Sequence, residues 1–204
     1  MSSHEWVRIA GDGVELEGVL VPAVDARGAA VLCHPHPLYG GDMHNPVVRS
    51  IEAGMQQTGL TTLRFNFRGT GESTGIHDHG RGECEDLAAA IDFLRTRGGF
   101  DSVFAAGYSF GAMIALSEAE HVRATVAVAP PLAMMPLSNV PPRMPQLLVV
   151  GDRDPYCEVH TAERAVAEHP GLRRLHVVAG ADHFFLAEGT AIREIVGRFV
   201  EPLL

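Results

Sequence analysis

Residues 103–116 read VFAAGYSFGAMIAL: an apolar run, a Gly-x-Ser-x-Gly pattern and a second apolar run rich in small residues. The first run favours a buried strand, and the second, Ala112–Leu116, favours a helix. The pattern between them predicts a very tight strand-to-helix turn in which Ser109 takes strained backbone angles and projects its hydroxyl from the fold. Gly107 and Gly111 fall where a Cβ would collide with neighbouring backbone. We therefore expect the Ser109 hydroxyl near a helix N-terminus, where developing negative charge is favoured; the alternative is a turn without chemistry.

The rest of the chain alternates apolar runs of strand length with amphipathic stretches. Strands are predicted at residues 6–10, 14–21, 29–34, 61–67, 102–108, 124–129, 146–150 and 174–178. Asn45 caps the first predicted helix and Gly59 ends it. The predicted helices cover residues 46–58, 84–94, 112–116, 162–169 and 192–199. This alternation predicts an α/β fold, a mostly parallel central sheet of about seven to eight strands with helices on both faces, in a single domain over residues 1–204.

The composition is that of an ordinary globular protein, with 46% hydrophobic and 20% charged residues. The formal net charge of −9 argues against nucleic acid or an anionic membrane as the main partner. The N-terminus lacks a basic start followed by an apolar stretch, and no apolar run reaches the length of a membrane span. Cys33, Cys84 and Cys157 are odd in number and far apart, which fits thiols in a reducing compartment. We expect a cytoplasmic protein.

A serine hydroxyl is a weak nucleophile until a base, normally a histidine oriented by a carboxylate, takes its proton. After a strand-to-helix turn of this kind, the acid and then the base follow the serine along the chain. His183 lies in a loop just beyond a predicted buried strand, where catalytic groups of parallel sheets belong. The other downstream histidines precede a strand or lie within predicted helices and strands: His121, His160, His169 and His176. We predict His183 as the base.

Two aspartates compete for the role of acid after the predicted strand 146–150. Asp154 stands further past the strand end, in a turn that the following proline helps to fix, so we prefer it. Asp152 is the runner-up, with a structural turn role otherwise. Asp182 adjoins the predicted base in sequence and more readily shapes that loop. Cys157 is not on a strand-to-helix turn, and we interpret it as a filler or surface thiol.

Four motifs resemble the α/β-hydrolase superfamily, in the right order along nearly the whole chain: FRGTGES at 67–73, GYSFG at 107–111, GDRD at 151–154 and DHFF at 182–185. In addition, HPHPLYGG at 34–41 is similar to a small bacterial branch without a cap domain, which resembles serine esterases and dienelactone hydrolases and whose members mostly lack an assigned substrate. The resemblance implies an α/β-hydrolase fold without a cap domain. Carried over by motif position, it implies Ser109 as nucleophile, Asp154 as acid and His183 as base.

The segment 34–41 departs from the superfamily pattern, in which His-Gly often precedes a residue that donates to the oxyanion. One donor should be the backbone N–H of Phe110, just after the nucleophile, and the other should come from this segment. Its prolines have no N–H. The alignment implies His36 as the second donor, with Leu38 or Tyr39 as fallbacks. Each such donor is typically worth ~10²–10³ in rate.

Two His-x-His pairs raise the alternative of a metallohydrolase: His34 with His36, and His77 with His79. Prolines stiffen the first pair, and the second lies in a glycine-rich loop that we expect to be solvated. No carboxylate–histidine pair follows at tight spacing. We therefore predict no metal and no cofactor. Arg68 either holds the loop beside the site by an ion pair or is a solvated turn residue.

The segment 130–145 stands where lids are usually inserted in the superfamily, and it is too short for a cap domain. We expect an open site for a small ester-type substrate, and its predicted walls are Tyr39, Met43, Phe110, Phe184, Met134, Met135 and Leu137. We interpret Leu132 and Phe185 as core residues. The predicted function is a carboxylesterase that acts on short to medium acyl esters through an acyl-enzyme. The alternatives are a peptidase, thioesterase or lactonase and, more remotely, a silent binding module. Nothing in the sequence indicates an oligomeric state.

Overall fold

The strands of a computed structural model, which describes residues 4–117, 121–137, 143–169 and 171–204, form one sheet. They are β1 Glu5–Ala10, β2 Glu15–Val21, β3 Gly28–Cys33, β4 Leu60–Phe65, β5 Val103–Tyr108, β6 Thr125–Val128, β7 Gln146–Gly151 and β8 Arg173–Val178. Their order in the sheet is β1-β2-β4-β3-β5-β6-β7-β8. All neighbours from β4 to β8 run parallel, whereas β1 with β2 and β2 with β4 run antiparallel.

Helices cover both faces of this sheet: α1 Pro46–Gln57, α2 Arg81–Gly98, α3 Phe110–Ser117, α4 Val159–Ala167 and α5 Gly189–Val200. Successive side chains of a strand point to opposite faces, so each central strand supplies two cores. In β3, Ala30 and Leu32 pack with α1 and α5, whereas Val31 and Cys33 pack with α2 and α3. Burial of the strands on both faces explains their continuous apolar sequences.

The predicted order of strands and helices is confirmed, with differences of one or two residues at most ends. The Asn45 side chain accepts a hydrogen bond from the N–H of Val47 at 2.9 Å, and the helix begins at the intervening proline as predicted. Two predicted strands end early because the following residues leave the sheet to bind each other. The ring Nε2 of His34, after β3, accepts from the N–H of Phe67, after β4, at 3.0 Å.

The carboxyl ends of the parallel strands bring the loops after β3, β4, β5, β6, β7 and β8 to one edge of the sheet. Ser109, Asp154 and His183 follow three of these strands, β5, β7 and β8, so the sheet polarity alone places them at this edge. The connection from β6 to β7 forms turns and bends over residues 129–135. In the described part of the chain, no helix is both long and apolar enough to cross a membrane.

Candidate active site

The turn between β5 and α3 has the tight geometry that the glycines predict. Ser109 has a φ of 54°, in the left-handed region that a residue with a side chain rarely adopts. A Cβ on Gly107 would lie 2.2 Å from the carbonyl oxygen of Gly111, and one on Gly111 would lie 2.4 Å from the carbonyl oxygen of His34. Ser109 also donates its N–H to the carbonyl of Val128 at 2.9 Å. The strained turn is therefore held by close backbone contacts on two neighbouring strands.

A chain of two hydrogen bonds joins Ser109, His183 and Asp154. The Ser109 Oγ lies 3.0 Å from His183 Nε2, and His183 Nδ1 lies 2.8 Å from Asp154 Oδ2. An ionised carboxylate only accepts hydrogen bonds, so Nδ1 carries the proton and the lone pair of Nε2 faces the serine hydroxyl. Both His183 and Asp154 are buried. This arrangement can take the proton of the hydroxyl and stabilise the imidazolium that results.

The turn after β7 separates the roles of its two aspartates. The Oδ1 of Asp154 accepts from the N–H of Tyr156 at 2.8 Å and from that of Cys157 at 3.2 Å, which leaves Oδ2 for the histidine. Asp152 instead accepts from the N–H of Gly180 at 2.7 Å and so ties the loop after β8 to β7. The structure thus brings the preferred aspartate to the histidine and places the runner-up in a turn role. Burial, with Asp154 beside it, raises the pKa of the Cys157 thiol to about 11, which keeps it neutral.

Candidate oxyanion donors differ in whether their N–H groups are already used. The N–H of Leu38 donates to His36 Nδ1 at 3.2 Å, and the N–H of Tyr39 donates to the carbonyl of His36 at 3.1 Å. In the described chain, the N–H groups of His36 and Phe110 have no such acceptor. Phe110 begins α3, where the first N–H groups of a helix have no intrahelical partner.

His34 fixes the peptide that carries the N–H of His36. Its Nδ1 donates to the carbonyl of Pro35 at 2.6 Å, and its Nε2 accepts from Phe67. The C=O and N–H of a trans peptide point in opposite directions, so the N–H of His36 points away from the His34 ring. Burial lowers the pKa of His34 to about 4, although its hydrogen bond to Pro35 acts in the other direction. Both ring nitrogens are therefore occupied in a neutral side chain.

The loop after β4 holds a histidine that sequence reasoning misplaced. The prediction of a solvated loop is wrong for His77, whose side chain is buried, with Nδ1 2.7 Å from Glu83 Oε1. The reason is the buried Glu83 carboxylate, which accepts the N–H groups of Asp78 and Gly80 and draws the loop onto α2. The His77 ring packs against the ring of His36 at 4.8 Å between centroids. In the described residues, no cluster of three or more His, Cys, Asp or Glu could hold a metal ion.

Arg68 forms the ion pair that the sequence left open. Its guanidinium donates twice to Asp86 Oδ1, at 2.8 Å and 3.0 Å, and its backbone N–H donates to Oδ2 at 2.8 Å. Asp86 is a fully buried residue of α2. The pair therefore holds the start of the loop after β4 against α2.

Three of the seven predicted wall residues have exposed side chains on loops at the edge of the sheet where Ser109 lies. Tyr39 is 87% exposed, Met134 69% and Phe184 56%, on the loops after β3, β6 and β8. Met43 lies elsewhere: it is 1% exposed and packs against β2, three strands away from β5. Met43 is held there because its side chain packs on Val19 and Val21 and its N–H donates to the Asn66 side chain at 2.8 Å.

The remaining predicted wall residues are buried or partly buried. Phe110 is buried in the core shared with α2, while Met135 and Leu137 are partly buried against the core of α3 and α4. The interpretation of Leu132 and Phe185 as core residues is confirmed.

The chain belongs to the α/β hydrolase family: the family profile described as alpha/beta hydrolase fold matches residues 31–144. It is 32% identical over 169 residues to an uncharacterized protein of Rickettsia prowazekii (strain Madrid E), covering 76% of this chain and 71% of that one. An α/β serine hydrolase homologue from Coxiella burnetii is 33% identical, with a TM-score of 0.88 and 98% of each chain covered. A serine hydrolase without a lid from Xanthomonas campestris is 28% identical, with a TM-score of 0.91 over 100% of this chain and 96% of that one. The predicted resemblance is confirmed.

Proposed function

We propose that the chain is a serine hydrolase that cleaves short to medium acyl esters of small molecules through an acyl-enzyme, as a carboxylesterase. The observation that carries the proposal is the 3.0 Å contact between the hydroxyl of Ser109 and Nε2 of His183, whose other nitrogen is bound to Asp154. The relatives from Coxiella burnetii and Xanthomonas campestris, which are described as serine hydrolases or their homologues, support the same class.

Acylation follows from this geometry. The Ser109 Oγ attacks the ester carbonyl carbon while His183 Nε2 takes the hydroxyl proton, and Asp154 stabilises the imidazolium. The carbonyl oxygen becomes an oxyanion, which accepts hydrogen bonds from the N–H groups of His36 and Phe110. Collapse of the tetrahedral intermediate breaks the bond to the alcohol oxygen, and that oxygen receives the proton from His183. The products of this half are the acyl-enzyme and the free alcohol.

Deacylation repeats the same steps with water. His183 takes a proton from a water molecule, the resulting hydroxide attacks the acyl carbonyl, and the same two N–H groups bind the second oxyanion. The returning proton restores the Ser109 hydroxyl, and the carboxylic acid leaves. Each half-reaction moves one proton through one histidine and uses no cofactor.

The rim of the site supports small, uncharged ester substrates. Tyr39, Met134 and Phe184 present exposed apolar side chains on loops at this edge of the sheet, and we propose that an apolar acyl group gains burial against them. The net charge of −9 gives no handle for an anionic substrate. The same charge supports the proposal that neither nucleic acid nor a membrane is a partner, and the odd number of widely spaced cysteines supports the proposal of a cytoplasmic location.

The test is hydrolysis of p-nitrophenyl acetate and butyrate by wild type and by Ser109→Ala. We expect turnover by the wild type and loss of about 10⁴-fold or more in Ser109→Ala. Ser117→Ala, on the same helix, removes another hydroxyl and is the matched control that should retain wild-type activity. A fluorophosphonate probe should label Ser109 in wild type and in the control. Turnover retained by Ser109→Ala would contradict the proposal.

A substrate panel then distinguishes a carboxylesterase from a thioesterase, a lactonase or a peptidase that would use the same three residues. Matched ester, thioester, lactone and aminoacyl-amide substrates are compared by kcat/KM, with Ser109→Ala as the background. The ester should be the best of the four. A larger kcat/KM on the thioester, the lactone or the amide would reassign the chain to that class while leaving the nucleophile unchanged.

A further inference from the structure

The loop that carries His183 must reach across the sheet. β6 and β7 lie between β5, which leads to Ser109, and β8, which leads to His183. At the usual spacing between strands, the ends of β5 and β8 are about 14 Å apart. Yet the Ser109 Oγ and His183 Nε2 are 3.0 Å apart. Some contact must therefore fix the backbone of this loop relative to the turn at Ser109.

Two of the backbone contacts of this loop go only to the turn after β7. The N–H of Gly180 donates to Asp152 at 2.7 Å, and the carbonyl of Ala181 accepts from the N–H of Arg153 at 3.0 Å. These bonds hold the base of the loop to its neighbouring strand. Neither of these two bonds reaches β5.

Core packing of Ala181 and Phe185 holds the loop against the sheet, and a directional contact that spans this distance comes from the residue just before Ser109. The hydroxyl of Tyr108 donates to the backbone carbonyl of His183 at 3.0 Å, and both groups are buried. The Tyr108 ring also lies 5.8 Å from the His183 ring. Burial, with Asp154 and Asp182 nearby, raises the pKa of Tyr108 to about 12, so the hydroxyl keeps the proton that it donates.

We propose that Tyr108 is a positioning residue that sets the distance between the nucleophile and the base. Tyr108 is joined to Ser109 by a peptide bond, and its side chain binds the carbonyl of His183. One residue therefore links the nucleophile to the backbone of the base. Its side chain acts through the backbone of His183 and takes no step in the proposed reaction. The inference rests on the proposed serine hydrolase function, and nothing in the sequence motif required a hydrogen-bonding side chain at this position.

The experiment compares two variants that each lose one buried hydroxyl bound to a backbone carbonyl. Tyr108→Phe removes the bond to His183 and keeps the ring. Thr58→Val removes the 2.7 Å bond from the Thr58 hydroxyl to the carbonyl of Met55, at the end of α1, and is the matched control. Both variants should lose about 2–4 °C in Tm, because each loses one buried hydrogen bond in a chain of this size.

Kinetics separate positioning from stability. On p-nitrophenyl butyrate, we expect Tyr108→Phe to lower kcat about tenfold with KM within about twofold of wild type, because a displaced base slows chemistry without changing binding. The rate at which a fluorophosphonate labels Ser109 should fall by the same factor. Thr58→Val should retain the wild-type kcat and labelling rate.

The outcomes distinguish this inference from the function on which it rests. If wild type neither turns over the ester nor reacts with the probe, the proposed function fails and the inference fails with it. If wild type is active and Tyr108→Phe keeps its kcat, the function stands and the positioning role is overturned. Equal losses of kcat in Tyr108→Phe and Thr58→Val would also overturn it, because both would then report destabilisation.

Discussion

Two histidine–carboxylate contacts flank the turn at Ser109, and they differ in direction rather than in distance. His183 lies 2.8 Å from Asp154 along a ring N–H, and its other nitrogen faces the serine hydroxyl. His77 lies 2.7 Å from Glu83, but the carboxylate is off the direction of a ring N–H. Among the described residues, neither ring nitrogen of His77 has a hydrogen-bond partner. Proximity to a carboxylate therefore does not define a base.

The two carboxylates explain the difference, although each accepts two backbone N–H groups. Asp154 receives both on Oδ1, so Oδ2 is left to orient His183. Glu83 receives one on each oxygen, from Asp78 and from Gly80, so neither oxygen is reserved for the histidine. Although burial acts to raise it, these backbone bonds hold the pKa of Glu83 below its ordinary value. Glu83 fixes the start of α2, whereas Asp154 orients a ring.

The largest expected difference in activity between the two histidine–carboxylate pairs comes from removal of each imidazole. His183→Gln is expected to lower kcat/KM by about 10³–10⁵-fold, since no group then takes the Ser109 proton. His77→Gln, at a side chain of similar length, should lower it by less than about threefold. Both are measured on p-nitrophenyl butyrate, with circular dichroism to verify folding. A loss in His77→Gln that approached the loss in His183→Gln would break the comparison.

A second experiment tests whether His36, which packs against His77, contributes through its backbone N–H or through its ring. His36→Pro removes one N–H, and the φ of −55° at this residue already suits proline. We expect kcat to fall by about 10²–10³-fold. His36→Ala keeps the N–H, loses the same ring and serves as the control, with an expected loss of less than about fivefold. Equal losses in the two variants would show that the ring, not the N–H, is the group that matters.

A third prediction concerns stability in acid. His34 is neutral when folded, with a pKa lowered to about 4 by burial, whereas it takes up a proton near its ordinary pKa of 6.5 when unfolded. The unfolded state therefore binds more protons between these values, so stability from this group is full above about pH 6.5 and is lost as the pH falls toward about 4. Between pH 7 and pH 5, His34 should lower the free energy of unfolding by about 2 kcal/mol.

Urea denaturation at the two pH values measures this change. His34→Gln is the comparison variant, because its side-chain oxygen can still accept the N–H of Phe67 but does not titrate. The drop in unfolding free energy from pH 7 to pH 5 should be smaller in the variant by about that amount. An identical drop in both proteins would mean that His34 is not the group that titrates.

Sequence reasoning located the residues whose positions depend on local pattern and sheet polarity. Ser109 is predicted from its flanking glycines, and the rule that loops after parallel strands meet at one edge brings His183 and the turn after residues 146–150 to it. The preference for Asp154 over the runner-up Asp152 rests on its place further past the strand end and on the family motif. The positions of these three side chains needed no knowledge of packing. Their predicted catalytic roles now rest on the variants proposed above.

The misplaced residues depend on contacts between segments far apart in the chain. The prediction of Met43 as a wall residue is wrong because its burial is decided by β2 and by the Asn66 side chain. His77 looked solvated because glycines surround it, and only the buried carboxylate of Glu83 reveals otherwise. Tyr108 read as one more buried strand residue, since its hydroxyl partner lies 75 positions away. Local periodicity carries no information on such partners.

The peptide fixed by His34 has an evolutionary consequence. Because the proposed donor at position 36 belongs to the main chain, every residue except proline supplies the same N–H, and the ring at this position is free to drift. Selection on substrate range can therefore act on position 36 at a small cost to the chemical step. A library randomised there should yield active clones of many identities, with different substrate preferences and with proline missing.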